Sequence, residues 1–233
     1  MSVPFYVAPE QLVRDKAEFA RKGIARGRSI VAIEFDSGIL LLAENVSRAL
    51  QKTSEVYDRI AFAGVGRYNE FETLRKGGIR QADLMGYLYS RADVSAMALA
   101  TAFSQTLGQI FSHEPKPFEV EVLICEVGST SEGNRLYKVT YDGTLYDQRD
   151  VVAIGGKGEA LEQALRAGFR EGMSLGDAIA LGVNAFRETE GRESEGWEAA
   201  VLDRGNGRRA FRRLSQEEIR SGQPHGETAP PGD

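Results

Sequence analysis

Cysteine is almost missing from this sequence, with one residue in 233, and histidine occurs twice. A single thiol cannot close an intrachain disulfide, so a cross-linked secreted scaffold is excluded. Cys125, inside the apolar run VEVLICEV, reads as a small buried hydrophobe. His113, just before Pro115, and His225, near the C-terminus, form no His/Cys cluster with metal-ligand spacing and no Ser-His-Asp arrangement. A long apolar run is lacking as well. The longest, Ile30 to Leu42, is broken by Glu34, Asp36 and Ser37 and is far short of the ~20 residues a membrane helix needs. The opening MSVPFYVAPEQLVRDKAEF has neither a basic start nor a small-residue cleavage site, so no secretory signal is expected and the cytosol is the expected location. Nor is there an excess of positive charge. Lys+Arg 29 against Asp+Glu 34 leaves a net charge of -5, which provides no field for nucleic acid or an anionic membrane. The expected partners are proteins or peptides.

What is present is the 42% hydrophobic content of an ordinary globular chain, long enough to close a sizeable core. Pro9 opens an amphipathic helix with Leu12, Val13, Ala17, Ala20 and Ile24 on one face, ending near Gly23 to Gly27. SIVAIEF and ILLLAEN, on either side of Asp36-Ser37-Gly38, read as a hairpin, and Ile60 to Val65 as a third strand added to the same sheet. Two helices follow, one marked by Tyr68, Phe71, Leu74, Ile79, Ala82 and Met85. The other is marked by Met97, Ala100, Phe103, Leu107 and Ile110, with Asp93 as the expected N-cap and an end before Pro115. Strands return in FEVEVLICEV, in RLYKVTYDGTLYD around the turn Asp142-Gly143, and in VVAIGG. A second helix pair follows, the later member capped by Ser174, and WEAAVLD and RRAFRRL close the body. From Ser221 the composition is that of a disordered tail. Strands in runs and helices in pairs predict an α+β fold, a four-layer αββα sandwich of two antiparallel sheets between helix pairs with an additional N-terminal helix. The expected organisation is residues 1–8 as an N-terminal segment, 9–220 as one domain and 221–233 as the tail.

The segments VAPEQ (Val7 to Gln11), ARKGIARG (Ala20 to Gly27), SIVAIEFDSGILLLAEN (Ser29 to Asn45), SRALQKTSEVYDRIAFAGVGRYNEF (Ser47 to Phe71) and LRKGGIRQAD (Leu74 to Asp83), extended by KPFEVEVLICEVG and RLYKVTYDG, follow one another in an order that resembles the α-type subunits of proteasome core particles, those of actinobacteria in particular. The resemblance covers nearly the whole ordered chain. It implies the sandwich of N-terminal nucleophile hydrolases, assembled into seven-membered α rings that cap rings of β subunits. It also implies a ring-shaped ATPase that delivers proteins tagged with a ubiquitin-like modifier, although ATP-independent activators can use the same surface.

In that class the β subunit carries a threonine whose own terminal amine activates its hydroxyl. Here Ser29 opens the first strand behind an acylated nitrogen and a helix, so no catalytic residue, cofactor or metal is expected. Glu44 and Arg59, taken together, resemble a retired site, because arginine cannot relay protons. GVGRYNEF and IGGKGEA lack a complete phosphate-binding pattern, so their glycines are expected to serve backbone geometry. RRAFRR is expected to be a solvated strand face, and the sequon Asn45-Val46-Ser47 to go unused in a cytosolic chain.

The family likeness assigns the N-terminal segment Met1, Ser2, Val3, Pro4, Phe5, Tyr6, Val7 and Ala8 to a pore gate. Lys52 corresponds to the lysine that pairs with the terminal carboxylate of an activator tail, with Arg26 and Arg59 as weaker candidates. Phe19 and Ile24 are candidate ring-interface anchors. The alternative is a free-standing N-terminal nucleophile hydrolase activated by cleavage before Ser29. A single-subunit threonine protease fits less well, since no threonine stands at the corresponding position.

Overall fold

The computed structural model describes residues 8–47 and 49–222. Met1 to Val7 of the expected gate, and most of the expected tail, lie outside the described residues. The chain begins with α1 (Pro9–Ala25), its proline at the first helical turn, where the missing N–H costs nothing. The hairpin β1 (Ile30–Phe35) and β2 (Gly38–Glu44) follows, then β3 (Thr53–Tyr57) and β4 (Ile60–Gly66). After the helix pair α2 (Tyr68–Leu88) and α3 (Ala96–His113) come β5 (Val120–Glu126), β6 (Arg135–Val139), β7 (Leu145–Gln148) and β8 (Val151–Ile154). The second pair, α4 (Gly158–Gly168) and α5 (Leu175–Glu190), leads to β9 (Trp197–Asp203), β10 (Phe211–Arg213) and α6 (Gln216–Gly222).

Two five-stranded antiparallel sheets result, ordered β10-β9-β2-β1-β8 and β3-β4-β5-β6-β7. Both faces of each sheet are covered, which is why β1 and β2 read as near-continuous apolar runs rather than alternating ones. Ile30 and Ala32 point to the other sheet, where they meet Ala61, Ala63, Leu123 and Cys125. Val31 and Ile33 point outward to Leu161, Leu165, Ile179, Val183 and Phe186 of α4 and α5. On the far side Phe62, Val122 and Ile124 carry α2 and α3 through Phe71, Leu74, Leu99, Phe103 and Leu107. The expected four-layer αββα sandwich is therefore the observed one. Among the described residues no helix is long and apolar enough to cross a membrane.

Four local expectations are corrected. Ile60 to Val65 does not join the sheet of the β1–β2 hairpin, whose two open edges are taken by β9 and β8; as β4 it lies in the other sheet between β3 and β5. The N-cap of α3 is Ser95, whose hydroxyl accepts the Ala98 N–H, while Asp93 closes a short 3-10 turn. β3 was not expected. Its sequence TSEVY has little apolar alternation because it is an edge strand of its sheet. The helix α6 continues past Ser221 and buries Ile219. It starts with a capping box in which Ser215 and Glu218 exchange hydrogen bonds, a signature present in the sequence as Ser215-Gln216-Glu217-Glu218. Ser174 caps α5 as expected, also in a capping box, with Asp177.

Gly38 opens β2 between Phe35 and Asp203, and a Cβ there would lie 1.8 Å from the Leu202 carbonyl oxygen. Gly38→Ala is expected to separate β2 from β9 and to cost about 1–3 kcal/mol or more, whereas Ser174→Ala, which loses one cap, costs about 1 kcal/mol. Urea unfolding of the two variants should rank them in that order.

Candidate functional site

The sandwich has two ends, and α1 closes one of them. Ala20, Gly23 and Ile24 are buried there against the inter-sheet core. A Cβ on Gly23 would stand 2.0 Å from a Glu119 carboxylate oxygen, and one on Gly156 would stand 2.7 Å from the Ala25 Cα. The glycines of the two rich segments serve backbone shape, as expected: Gly66 and Gly155, where strands turn away, have φ of +109° and +111°. Ser29 lies at this closed end, 4% exposed, with Gly155 packed on its backbone.

Glu44 ends β2 beside it and is 3% exposed. It is held by Arg28 at 2.5 Å and by Arg192 through two bonds of 2.6 and 2.9 Å. Burial pushes its carboxyl up, but the Arg192 hydrogen bond and the charges of Arg28 and Arg192 outweigh this and hold it below the usual carboxylate range. Glu44 is thus a structural anion with its acceptors filled. Glu44 and Arg59, expected to lie together at a retired site, do not share one. Arg59 lies in the β3–β4 turn at the opposite end of the sandwich and donates to the Val127 and Gly128 carbonyls at 2.8 and 2.7 Å. The reason is strand direction, since β3 carries the chain from one end to the other between Lys52 and Arg59. Arg59 is therefore separated from Lys52 and committed to its own backbone contacts.

Lys52 does belong to the α1 end. Its ammonium donates to the Arg28 carbonyl at 2.6 Å, and the side chain is half-buried at the rim. Burial draws its pKa down from the ordinary lysine value to about 8; Glu198 opposes the fall, Arg28 adds to it, and Glu44 opposes it. Arg26, at the C-cap of α1, is exposed two residues from Arg28. Sequence reasoning missed Glu198 and Arg28. The available signal was weak: one carboxylate near the start of the otherwise apolar strand WEAAVLD.

The two interface candidates part company. Ile24 is 3% exposed and packs in its own inter-sheet core, so its side chain is not free for a neighbour. Phe19 is 46% exposed, with the Lys116 ammonium 5.6 Å from its ring centre. Leu12 and Val13, on the same outer stretch of α1, are also exposed. The RRAFRR segment is more than a solvated face. Arg213 donates to the Thr53 carbonyl at 2.7 Å, and Arg212 pairs with Glu218 at 2.5 Å. The Asn45 amide is likewise occupied, bonding to Leu50 and Glu198. Among the described residues no group of three or more His, Cys, Asp or Glu could hold a metal ion.

Two antiparallel sheets stacked between helix pairs, with the first strand opening at the end that α1 covers, are the architecture of the N-terminal nucleophile class. A family model described as proteasome subunit matches residues 24–202, and the chain belongs to that family. It is 54% identical over 217 residues to a protein of Thermomonospora curvata named proteasome subunit alpha, covering 92% of this chain and 94% of the relative. A protein of the same name from Xylanimonas cellulosilytica is 51% identical over 243 residues, covering 98% and 100%. A third, from Thermobifida fusca, is 48% identical over 223 residues, covering 94% and 90%.

The Ser29 nitrogen lies in a peptide bond and cannot act as an activating terminal amine, and the residue is buried. Ser29→Ala in assembled particles is expected to leave peptide hydrolysis within about twofold of wild type, against the 10⁴-fold or greater loss typical of removing a nucleophile. Fluorogenic peptide turnover distinguishes the two.

Proposed function

We propose that this chain is a non-catalytic α subunit of a proteasome core particle, forming seven-membered outer rings that gate substrate entry and dock activators. The observation that carries the reading is the plugged end of the sandwich. An N-terminal nucleophile must be reached there by substrate, whereas here Ala20, Gly23 and Ile24 of α1 are packed into the core. Peptide-bond chemistry then belongs to the β partner. The same packing argues against a free-standing hydrolase cleaved before Ser29, because release of α1 would uncover apolar surface of both sheets.

In this reading Met1 to Ala8 is the gate, with Phe5, Tyr6 and Val7 packing on their copies near the ring axis, and Phe19 on the outer face of α1 is a contact within the ring. Lys52 receives the terminal carboxylate of an activator tail, with Arg26 nearby. The activators are a ring-shaped ATPase, which delivers proteins bearing a ubiquitin-like modifier, and ATP-independent factors, all in the cytoplasm. In this reading the contacts between α copies are head to tail, and they close into a ring where the rotation between neighbours closes.

Native mass spectrometry of the complex, with each chain's N-terminus sequenced, tests the reading. The expected species is a stack of many copies of this chain with a second subunit that begins with threonine; a monomer or dimer beginning at Ser29 overturns it. Deletion of residues 1–8 is expected to raise hydrolysis of small peptides by opening the pore, measured on intact particles without activator. Lys52→Ala removes a charge-assisted hydrogen bond and is expected to weaken binding of an activator tail by about 1.5–3 kcal/mol, roughly tenfold to a hundredfold. Because binding needs the ammonium and its pKa is about 8, affinity in wild type should fall as pH rises through that value, with proton uptake on binding above it. Titration calorimetry in buffers of different ionisation enthalpy checks the sign.

A further inference from the structure

β3 is an edge strand, and the N–H groups of its first residue, Thr53, and of Lys52 just before it are not received by a neighbouring strand. They are taken by a carboxylate from the other sheet. Glu198 is the second residue of β9 and stands opposite Ala43 of β2, so its side chain shares Ala43's face and enters the gap between the sheets. One oxygen accepts the Thr53 N–H at 2.8 Å and the Thr53 hydroxyl at 2.5 Å; the other accepts the Asn45 amide at 2.7 Å; the Lys52 N–H is shared between them at 3.1 and 3.0 Å. Arg213 reaches the same carboxylate at 3.3 Å while holding the Thr53 carbonyl. On its other side the Lys52 carbonyl accepts the Gly64 N–H at 3.0 Å. The backbone of the lysine is therefore fixed from both sheets.

We propose that Glu198 is the positioning residue of the Lys52 site, clamping the main chain that carries the lysine to the opposite sheet and placing a negative charge on the lysine's own backbone N–H. This rests on the reading of Lys52 as a receptor for a peptide carboxylate. Among the described residues the hydrogen-bond partner of the ammonium is the Arg28 carbonyl, so the counter-charge acts without occupying the donors a ligand needs. The charges that bear on the ammonium are those of Glu198 from β9, Glu44 from β2 and Arg28 from the segment before β1; Arg213 and Arg192 pair with the two carboxylates. Glu198 is the largest influence that favours the charged lysine. Burial pushes Glu198's own carboxyl up, but the hydrogen bonds from Lys52, Thr53 and Asn45 outweigh this, so it is an anion throughout the working pH range.

The test uses assembled core particles carrying Glu198→Gln, Glu198→Asp or Lys52→Ala. Competitive acetylation followed by peptide mass spectrometry reads the titration midpoint of Lys52 without any ligand. The second readout is the affinity of a short labelled peptide copying the activating ATPase's C-terminus with a free carboxylate, with its amide as control. Glu198→Gln keeps the shape and removes the charge. It is expected to move the Lys52 midpoint down by about one pH unit and to carry the pH profile of probe binding with it. A purely structural role would lower the melting temperature and leave that midpoint in place. An unmoved midpoint overturns the proposal and leaves the docking reading standing. Probe binding by Lys52→Ala at wild-type affinity overturns the docking reading instead, and the acetylation curve tells the two failures apart. Should Glu198→Gln fail to assemble, Glu198→Asp, which withdraws the carboxylate by one methylene, is expected to weaken the free-carboxylate probe severalfold at pH 7; wild-type affinity and midpoint in that variant overturn the proposal.

Discussion

The close seating of α1 on the end of the two sheets is the constraint from which the rest of the molecule follows. Little side-chain volume fits at the contact: Gly23 lies against the Glu119 carboxylate, Gly27 against Val65 and Gly66, and Ala25 against Gly156. Each of these residues is small because backbone and helix approach each other closely there. The apolar side chains that complete the contact, Ala20 and Ile24, belong to the same core cluster as Ile30, Val65 and Ile154. The helix is thus part of the inter-sheet core rather than an appendage to it, and Ser29, packed against Gly155, is buried at the same end.

The charges at this end obey one accounting rule with two outcomes. A buried anion must find donors. Glu44 finds them in two guanidinium groups, and Glu198 finds them mainly in backbone N–H groups and neutral side chains. The first arrangement neutralises its anion and binds the start of β1 to the segment after α5. The second joins two sheets and leaves the lysine beside it charged and unpaired by any direct ion contact among the described residues. Charge saturation in one place and charge availability in the next thus lie side by side at one end of the sandwich.

The opposite end of the sandwich shows the contrast. Arg59, Arg204 and Asn134 there bridge carbonyls and side chains of the β1–β2, β3–β4 and β5–β6 connections. Their donors are used to hold loops together. Arginine suits this work because its planar fork reaches two acceptors at once, whereas the rim lysine is a compact charge with free donors.

Local physical rules acting over a few residues determined much of this protein from sequence alone. The Asp36-Ser37-Gly38 hairpin, the Asp142-Gly143 turn, the Ser174 cap and the apolar periodicity of both helix pairs are each set by neighbours in the chain, and grouping the elements was enough to indicate the four layers. β3 was hidden because an edge strand needs little apolar pattern, and α6 because its Ser215 capping box heads a helix of seven residues with one buried side chain. Family likeness brought Lys52 forward and ranked Arg59 below it, yet it kept both for one pocket, although they stand seven positions apart and differ in the end of the sandwich they occupy. Nor could sequence find Glu198, 146 positions from the lysine whose backbone it holds. Those assignments belong to tertiary structure, because strand direction, sheet facing and contacts between distant segments decide which charges share one end, and no window along the chain contains them.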